Sequence, residues 1–169
     1  MTKSNEVFVF IGTYASEVDA RADYDKVKDL HAAGAVGTYD AAVVTKDEKG
    51  KVHVNKDETT TRHGAWGGAA AGALVGILFP PSIIASAVVG AAIGGVSGHL
   101  WKGMSRADIK EFGDAIDAGE AALVIVGQST VQAALEKAGL EARTHVSKEL
   151  EVDKHGIDEA VQSASKEIS

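Results

Sequence analysis

The sequence predicts an α+β fold, a ferredoxin-like split β-α-β sheet into which a glycine-rich apolar helical hairpin is inserted. Three observations support this prediction. Val7–Ile11 and Ala121–Val126 are unbroken apolar runs, as expected of strands that are buried on both faces. Each run begins a strand–helix–strand pattern. Between the two patterns, residues 63–101 contain no Asp, Glu, Lys or Arg.

In the first pattern, Ser16 is the expected N-cap of a helix that ends at Gly34. The predicted apolar stripe of this helix consists of Val18, Ala22, Val27, Leu30 and Ala33. Its carboxylates Asp23 and Asp25 are therefore expected on the solvent side. Asp40–Thr45 is the next strand, and it forms a predicted hairpin with the alternating segment Lys51–Lys56.

In the second pattern, Ser105 caps a predicted helix that runs to about residue 118. The buried run 121–126 follows, and then a helix that begins at Ser129 and closes near Gly139. The polar, alternating segment Ala142–Leu150 is typical of a strand at a sheet edge. In a ferredoxin-like fold the first and third strands are central, which fits the two apolar runs. An alternative register makes Lys51–Lys56 the third strand and 121–126 the fourth.

The predicted organisation has three parts. Residues 1–62 and 103–150 form the ferredoxin-like domain, residues 63–102 form the inserted hairpin, and residues 151–169 form a C-terminal amphipathic helix. The apolar positions of that last helix are Ile157, Val161, Ala164 and Ile168.

Small residues recur at four-residue spacing in the inserted segment, a pattern that lets two helix backbones approach closely. The predicted helix-packing residues are Gly64, Gly68, Gly72, Gly76, Ser86, Gly90, Gly94 and Gly98. Phe79, Pro80 and Pro81 form the predicted tip of the hairpin. A glycine inside a helix costs about 0.5–1 kcal/mol relative to alanine, and close packing is the usual way to offset that cost.

The ends of the hairpin carry residues typical of a membrane interface. Trp66 and Trp101, with Arg62 and Lys102 next to them, are the predicted interface anchors, and the basic side is expected to be cytoplasmic. At about 1.5 Å per residue, the second arm, 82–101, is just long enough to span a bilayer, whereas the first arm is short. The apolar tip fits a re-entrant or monotopic hairpin, and it fits a hairpin buried inside a soluble oligomer equally well.

Composition limits the possible chemistry. The net charge of −7 argues against a nucleic-acid partner, and the absence of cysteine excludes disulfides, zinc-thiolate sites and iron–sulfur clusters. The six histidines do not have metal-ligand spacing, and no catalytic motif is recognised. We therefore expect no enzymatic activity, no metal and no cofactor. The polar N-terminus, without a signal-peptide pattern, predicts a cytoplasmic location for the polar part.

Several segments, taken in order, resemble a known family. They are residues 40–54, the glycine-rich hairpin, residues 103–112 and residues 121–126. Together they resemble the bacterial and archaeal family called domain of unknown function 1269, over nearly the whole chain. The resemblance implies a ferredoxin-like domain interrupted by a glycine-rich hairpin that is often taken to be membrane-associated. It implies no catalytic residues.

Three functions remain open from the sequence. The leading hypothesis is a non-enzymatic protein at the cytoplasmic face of the bacterial inner membrane, which self-associates through its hairpin. The alternative is a soluble, self-assembling shell-type oligomer in the cytoplasm, with the hairpins buried in the assembly. The expected partners are therefore other copies of the chain, together with a lipid bilayer or a hydrophobic assembly core. The third hypothesis, a small-molecule sensor, depends on fold analogy alone.

Overall fold

Five strands and four helices make up the described part of the chain, which comprises residues 6–36, 39–55, 69–79, 104–117, 120–128, 130–151 and 159 of a computed structural model. The strands are β1 (Glu6–Tyr14), β2 (Tyr39–Lys46), β3 (Val52–Asn55), β4 (Ala121–Gln128) and β5 (Thr144–Glu151). The helices are α1 (Glu17–Ala32), α2 (Ala69–Leu78), α3 (Arg106–Asp117) and α4 (Thr130–Ala138). The fold is therefore α+β, as predicted.

The sheet is antiparallel throughout, and its strand order is β3-β2-β4-β1-β5. β4 lies between β1 and β2, and β1 lies between β4 and β5. The unit β1-α1-β2 therefore has β4 between its two strands, and the unit β4-α4-β5 has β1 between its two strands. This is the split β-α-β arrangement. The two apolar runs are central, as predicted. The alternative register is wrong, because β3 lies at the edge and pairs with residues 43–46 of β2.

The helix ends follow from local hydrogen bonding. The Ser16 hydroxyl accepts a hydrogen bond from the Asp19 backbone N–H at 3.2 Å and caps α1, as predicted. Gly34, with a φ of 80°, follows the last turn of α1. At the start of α3, Ser105 Oγ accepts from the Asp108 N–H, and the Asp108 carboxylate accepts from the Ser105 N–H, both at 3.1 Å. This pair is a complete capping box.

Helices cover both faces of the sheet, so the core has two halves. On the first face, α1 and α4 pack over side chains that include Phe8, Phe10, Tyr39, Leu123 and Ile125. On the second face, α2 and α3 pack over side chains that include Val7, Val9, Ile11, Val44 and Val124. We call these the α1/α4 face and the α2/α3 face. Because both are covered, β1, β2 and β4 are buried along most of their length.

The buried side of α1 differs from the predicted stripe. Ala20, Asp23, Tyr24 and Val27 face the sheet, whereas Val18 is 75% exposed. Asp23 is fully buried, so its predicted place on the solvent side is wrong. The spacing of 20, 23, 24 and 27 is a proper helical stripe, but a carboxylate in it breaks the apolar pattern.

Candidate functional site

The glycine-rich segment enters the described structure as α2, and this helix carries two of the predicted helix-packing residues, Gly72 and Gly76. Most of the other predicted site residues lie outside the described part: Arg62, Gly64, Trp66, Gly68, Pro80, Pro81, Ser86, Gly90, Gly94, Gly98, Trp101 and Lys102. The predicted C-terminal helix also lies outside it, apart from Glu159. The site can therefore be described at α2 and at its contacts with the sheet.

α2 has one side on the sheet and another that faces away from it. Leu74 and Val75 have no exposed surface and belong to the core of the α2/α3 face. Gly76 is exposed. At about 100° per residue, Gly76 points about 100° away from Val75 and about 160° away from Leu74 around the helix axis. The apolar side chains thus anchor the helix on its own domain, while Gly76 is turned outward.

Phe79 follows directly after α2 and lies in the core, although it was predicted at the hairpin tip. It is 6% exposed and packs with Leu74 and Val75 on the α2/α3 face. Lys46 Nζ, at the end of β2, lies 5.3 Å from the centre of its ring and forms an ion pair with Asp117 at the end of α3. The sequence does not show these contacts, because they involve residues of β2 and α3 that are distant from Phe79 in the chain. The contact joins α2 to both β2 and α3.

The α1/α4 face contains a buried polar network around Asp23, which no sequence pattern indicates. Asp23 Oδ2 accepts hydrogen bonds from the Tyr14 hydroxyl and from the Glu141 backbone N–H, both at 2.7 Å. Lys26 Nζ lies 3.1 Å from Asp23 Oδ1 as an ion pair without hydrogen-bond geometry. Burial, and then the hydrogen bond to Asp23, raise the pKa of Tyr14 well above its usual range. The network links β1, α1 and the segment that enters β5.

A groove opens on the same face, between α4 and the strands β1 and β5. Its volume is about 250 Å³. Its lining consists of Phe8, Phe10, Gln132, Leu135, Glu136, Gly139, Leu140, Ala142, His145 and Ser147. The His145 ring stacks on Phe10 with 5.5 Å between ring centres. An apolar floor with an imidazole, a hydroxyl, an amide and a carboxylate in its lining can hold a small, partly polar molecule.

The described residues contain no group of three or more His, Asp or Glu side chains that could hold a metal ion. None of their helices is both long enough and apolar enough to cross a membrane.

A family model described as "Protein of unknown function (DUF1269)" matches residues 65–162. No curated protein and no solved structure matches the sequence. The matched stretch is more than half of the chain. It runs from the glycine-rich segment through α2, α3, β4 and α4 to β5, so it includes both exposed Gly76 and the strand at the sheet edge. The chain belongs to the DUF1269 family of proteins of unknown function.

Proposed function

We propose that this protein is a non-enzymatic, self-associating structural protein, in which the glycine-rich segments 63–102 of neighbouring subunits pack against each other. The observation that carries the proposal is the orientation of α2. Leu74 and Val75 face the protein's own sheet, and exposed Gly76 faces away from it. A helix from another subunit can approach closely over such a glycine.

The same observation favours a protein core over lipid as the surroundings of α2. Two of the large apolar side chains of α2 are completely buried in its own domain. Just beyond the helix, Phe79 lies under the charged Lys46–Asp117 pair. Insertion of this arm into acyl chains would remove Leu74 and Val75 from the sheet and bring two charges to the membrane. We therefore propose a self-assembled particle in the cytoplasm, with the glycine-rich segments gathered inside it.

Attachment to the cytoplasmic face of the inner membrane is the second candidate. Its support is the second arm, residues 82–101, which contains no charged residue and is followed by Lys102. At about 30 Å it matches the thickness of a bilayer core. In this version α2 stays on the sheet, and lipid surrounds the second arm alone.

A pair of glycine substitutions tests self-association. Gly76→Leu places a branched side chain on the outward side of α2 and should reduce the size of the assembly, as measured by light scattering on a sizing column. Gly113→Leu is the matched control, because Gly113 is also helical and a Cβ there meets nothing within 4 Å. Both variants should keep the wild-type circular dichroism. Equal assembly sizes for the two variants would contradict the proposal.

Carbonate extraction of native membranes separates the two locations. A cytoplasmic particle should appear in the soluble fraction at both neutral and alkaline pH. Retention of the full-length protein in the membrane pellet after carbonate treatment would overturn the particle and favour the membrane-attached version.

The groove beside α4 supports a third function, a small-molecule sensor. If the groove binds a metabolite, that ligand should raise the melting temperature of the wild-type protein. At a hundredfold excess over its dissociation constant the gain is about 2.7 kcal/mol. His145→Ala removes the ring that stacks on Phe10 and should abolish the shift. A shift that persists in this variant would place the ligand elsewhere.

A further inference from the structure

β5 is the less protected of the two sheet edges. It is eight residues long, contains no proline or glycine, and pairs with β1 without a bulge. Its outer side has no strand partner within the described ranges. The other edge strand, β3, has only four residues. Long, regular edges are templates for another strand, and proteins protect them by shortening, prolines, bulges or charged side chains, of which β5 has only the last.

One set of β5 side chains is already used within the domain. Leu150 is 3% exposed, and Val146 packs against the same core on the α2/α3 face. Lys148 Nζ lies 2.5 Å from Asp108 and 2.7 Å from Glu111, both on α3. These three side chains hold the strand in place and fix which face it turns to the core.

The other set is exposed and has an ordered charge pattern. It consists of Arg143, His145, Ser147, Glu149 and Glu151. Arg143 directly precedes β5, and its backbone N–H donates to Thr13 O at 2.8 Å. Basic residues stand at the beginning of this row and acidic residues at its end, with Ser147 in the middle. When two copies of this row run antiparallel, the basic end of each copy lies beside the acidic end of the other.

We infer that β5 pairs antiparallel with β5 of a second copy of this chain, about a twofold axis through Ser147. Arg143 of each copy then lies opposite Glu151 of the other, and His145 lies opposite Glu149. Opposed side chains of this kind have Cβ atoms about 4.5–5.5 Å apart and attract each other when their charges differ. The two five-stranded sheets become one continuous sheet across the dimer.

The charges also select this register. A twofold axis perpendicular to the sheet keeps the same face of both strands on the same side. Because side chains alternate between the two faces, opposed residues must both be odd-numbered or both even-numbered. One residue therefore lies on the axis, opposite its own copy. An axis at Val146 would bring Arg143 opposite Glu149 and would leave Glu151 without a basic residue of the row opposite it. An axis at Lys148 would bring two lysines together. Among these three, the axis at Ser147 is the one that places both acidic residues of the row opposite basic ones without bringing the two lysines together.

The contact uses a different surface from the proposed packing of the glycine-rich segments, so each can fail without the other. Substitution of Gly76 acts on one contact and substitution along β5 acts on the other. A protein with both contacts would have two separate ways to recruit a neighbour.

A single cysteine tests the axis, because the full-length chain has no cysteine of its own. In Ser147→Cys the two sulfurs would face each other across strands whose Cα atoms are about 4.5–5.5 Å apart, within disulfide range. Mild oxidation should give a dimer band on a non-reducing denaturing gel. Glu149→Cys is the matched control, since its two copies would lie about 13 Å apart at 3.3 Å per residue. Absence of the dimer band in Ser147→Cys, or equal yields for the two variants, would overturn the inference.

Charge reversal tests the register in the same Ser147→Cys background. Arg143→Glu places like charges opposite each other twice per dimer, so the rate of disulfide formation should fall about tenfold. Adding Glu151→Arg restores opposite charges and should restore the rate. Lys49→Glu, on the distant β2–β3 turn, should leave the rate unchanged. If the rate in Arg143→Glu equals that of Ser147→Cys alone, or the double change restores nothing, the register is wrong.

Discussion

The two faces of the sheet are covered in different ways. The helices of the two β-α-β units, α1 and α4, both lie on one face, because right-handed crossovers in the two units bring them to the same side. The other face is covered by α2 and α3, which come from the stretch of chain between the units. The comparison shows that part of the core on the second face depends on α2, which sequence patterns assign to an insert.

The faces also differ in chemistry. The three tyrosines of the chain, Tyr14, Tyr24 and Tyr39, all lie on the α1/α4 face, together with buried Asp23 and the groove. On the α2/α3 face the buried hydrophobic cluster is mainly aliphatic, with Phe79 and Phe112 as its aromatic members. We therefore expect the first face to respond to pH and the second to respond mainly to changes in packing volume.

The largest effect should come from a matched pair of leucines. Leu74→Ala on α2 and Leu135→Ala on α4 each remove a buried side chain, and each should reduce the free energy of unfolding by about 2–5 kcal/mol. Urea denaturation of the two variants measures this. A loss below about 1 kcal/mol for Leu74→Ala alone would mean that α2 is not part of the core in solution.

Alkaline pH should weaken the α1/α4 face selectively. Burial raises the pKa of Tyr39 to about 12, and burial together with the Asp23 hydrogen bond raises that of Tyr14. The unfolded chain releases both protons near pH 10, whereas the folded chain keeps them. Stability is therefore intact below pH 10 and falls above it, by about 1.4 kcal/mol per pH unit for each retained proton.

Urea titrations of wild type, Tyr14→Phe and Tyr39→Phe between pH 9 and 12 measure the effect. Each substitution should make the fall less steep relative to wild type. Parallel pH curves for all three proteins would contradict the expected role of these hydroxyl groups.

Two glycines should respond in opposite directions to alanine. A Cβ at Gly12 would lie 3.0 Å from the Ala142 side chain and 3.0 Å from the Phe10 ring, so Gly12→Ala should destabilise by about 1–3 kcal/mol. A Cβ at Gly113 meets nothing within 4 Å, and alanine there should stabilise α3 by about 0.5–1 kcal/mol. Thermal unfolding shows whether each substitution raises or lowers the melting temperature. A change in the same direction for both variants would contradict the prediction.

The smallest expected difference concerns the helix caps. Ser16→Ala on α1 and Ser105→Ala on α3 each remove one side-chain acceptor of a backbone N–H, so each should cost about 1 kcal/mol. The caps should therefore not distinguish the two faces. A loss above about 2 kcal/mol in one variant alone would show that its hydroxyl has a further role.

Much of the sheet could be predicted from the sequence, because continuous apolar runs and capping residues are local signals. The central positions of β1 and β4 and the caps Ser16 and Ser105 follow from such signals. The buried side of α1 could not be found in this way, because Asp23 occupies a core position with partners 9 and 118 residues away. The place of Phe79 was hidden for a similar reason. Its contacts with Lys46 and with the sheet depend on how α2 is oriented.

The groove and the charge pattern of β5 required the structure as well. The groove is formed by residues of β1, α4 and β5 that are distant in the sequence. The alternation of β5 is visible in the sequence, and its position at an edge was predicted. Which of its two faces packs against the core of the α2/α3 face becomes clear only when Lys148 is seen beside Asp108 and Glu111.

The strand order also has a consequence for synthesis on the ribosome. β1 and β2 cannot pair with each other, because the central strand β4 must enter between them. At about 5–20 residues per second, the stretch from the end of β2 at residue 46 to the end of β4 at residue 128 takes roughly 4–16 s to emerge. During that interval two apolar strands wait without their main partner while the uncharged segment is being made. The nascent chain should therefore need protection by chaperones just before β4 appears, and folding should be slow relative to proteins with local contacts.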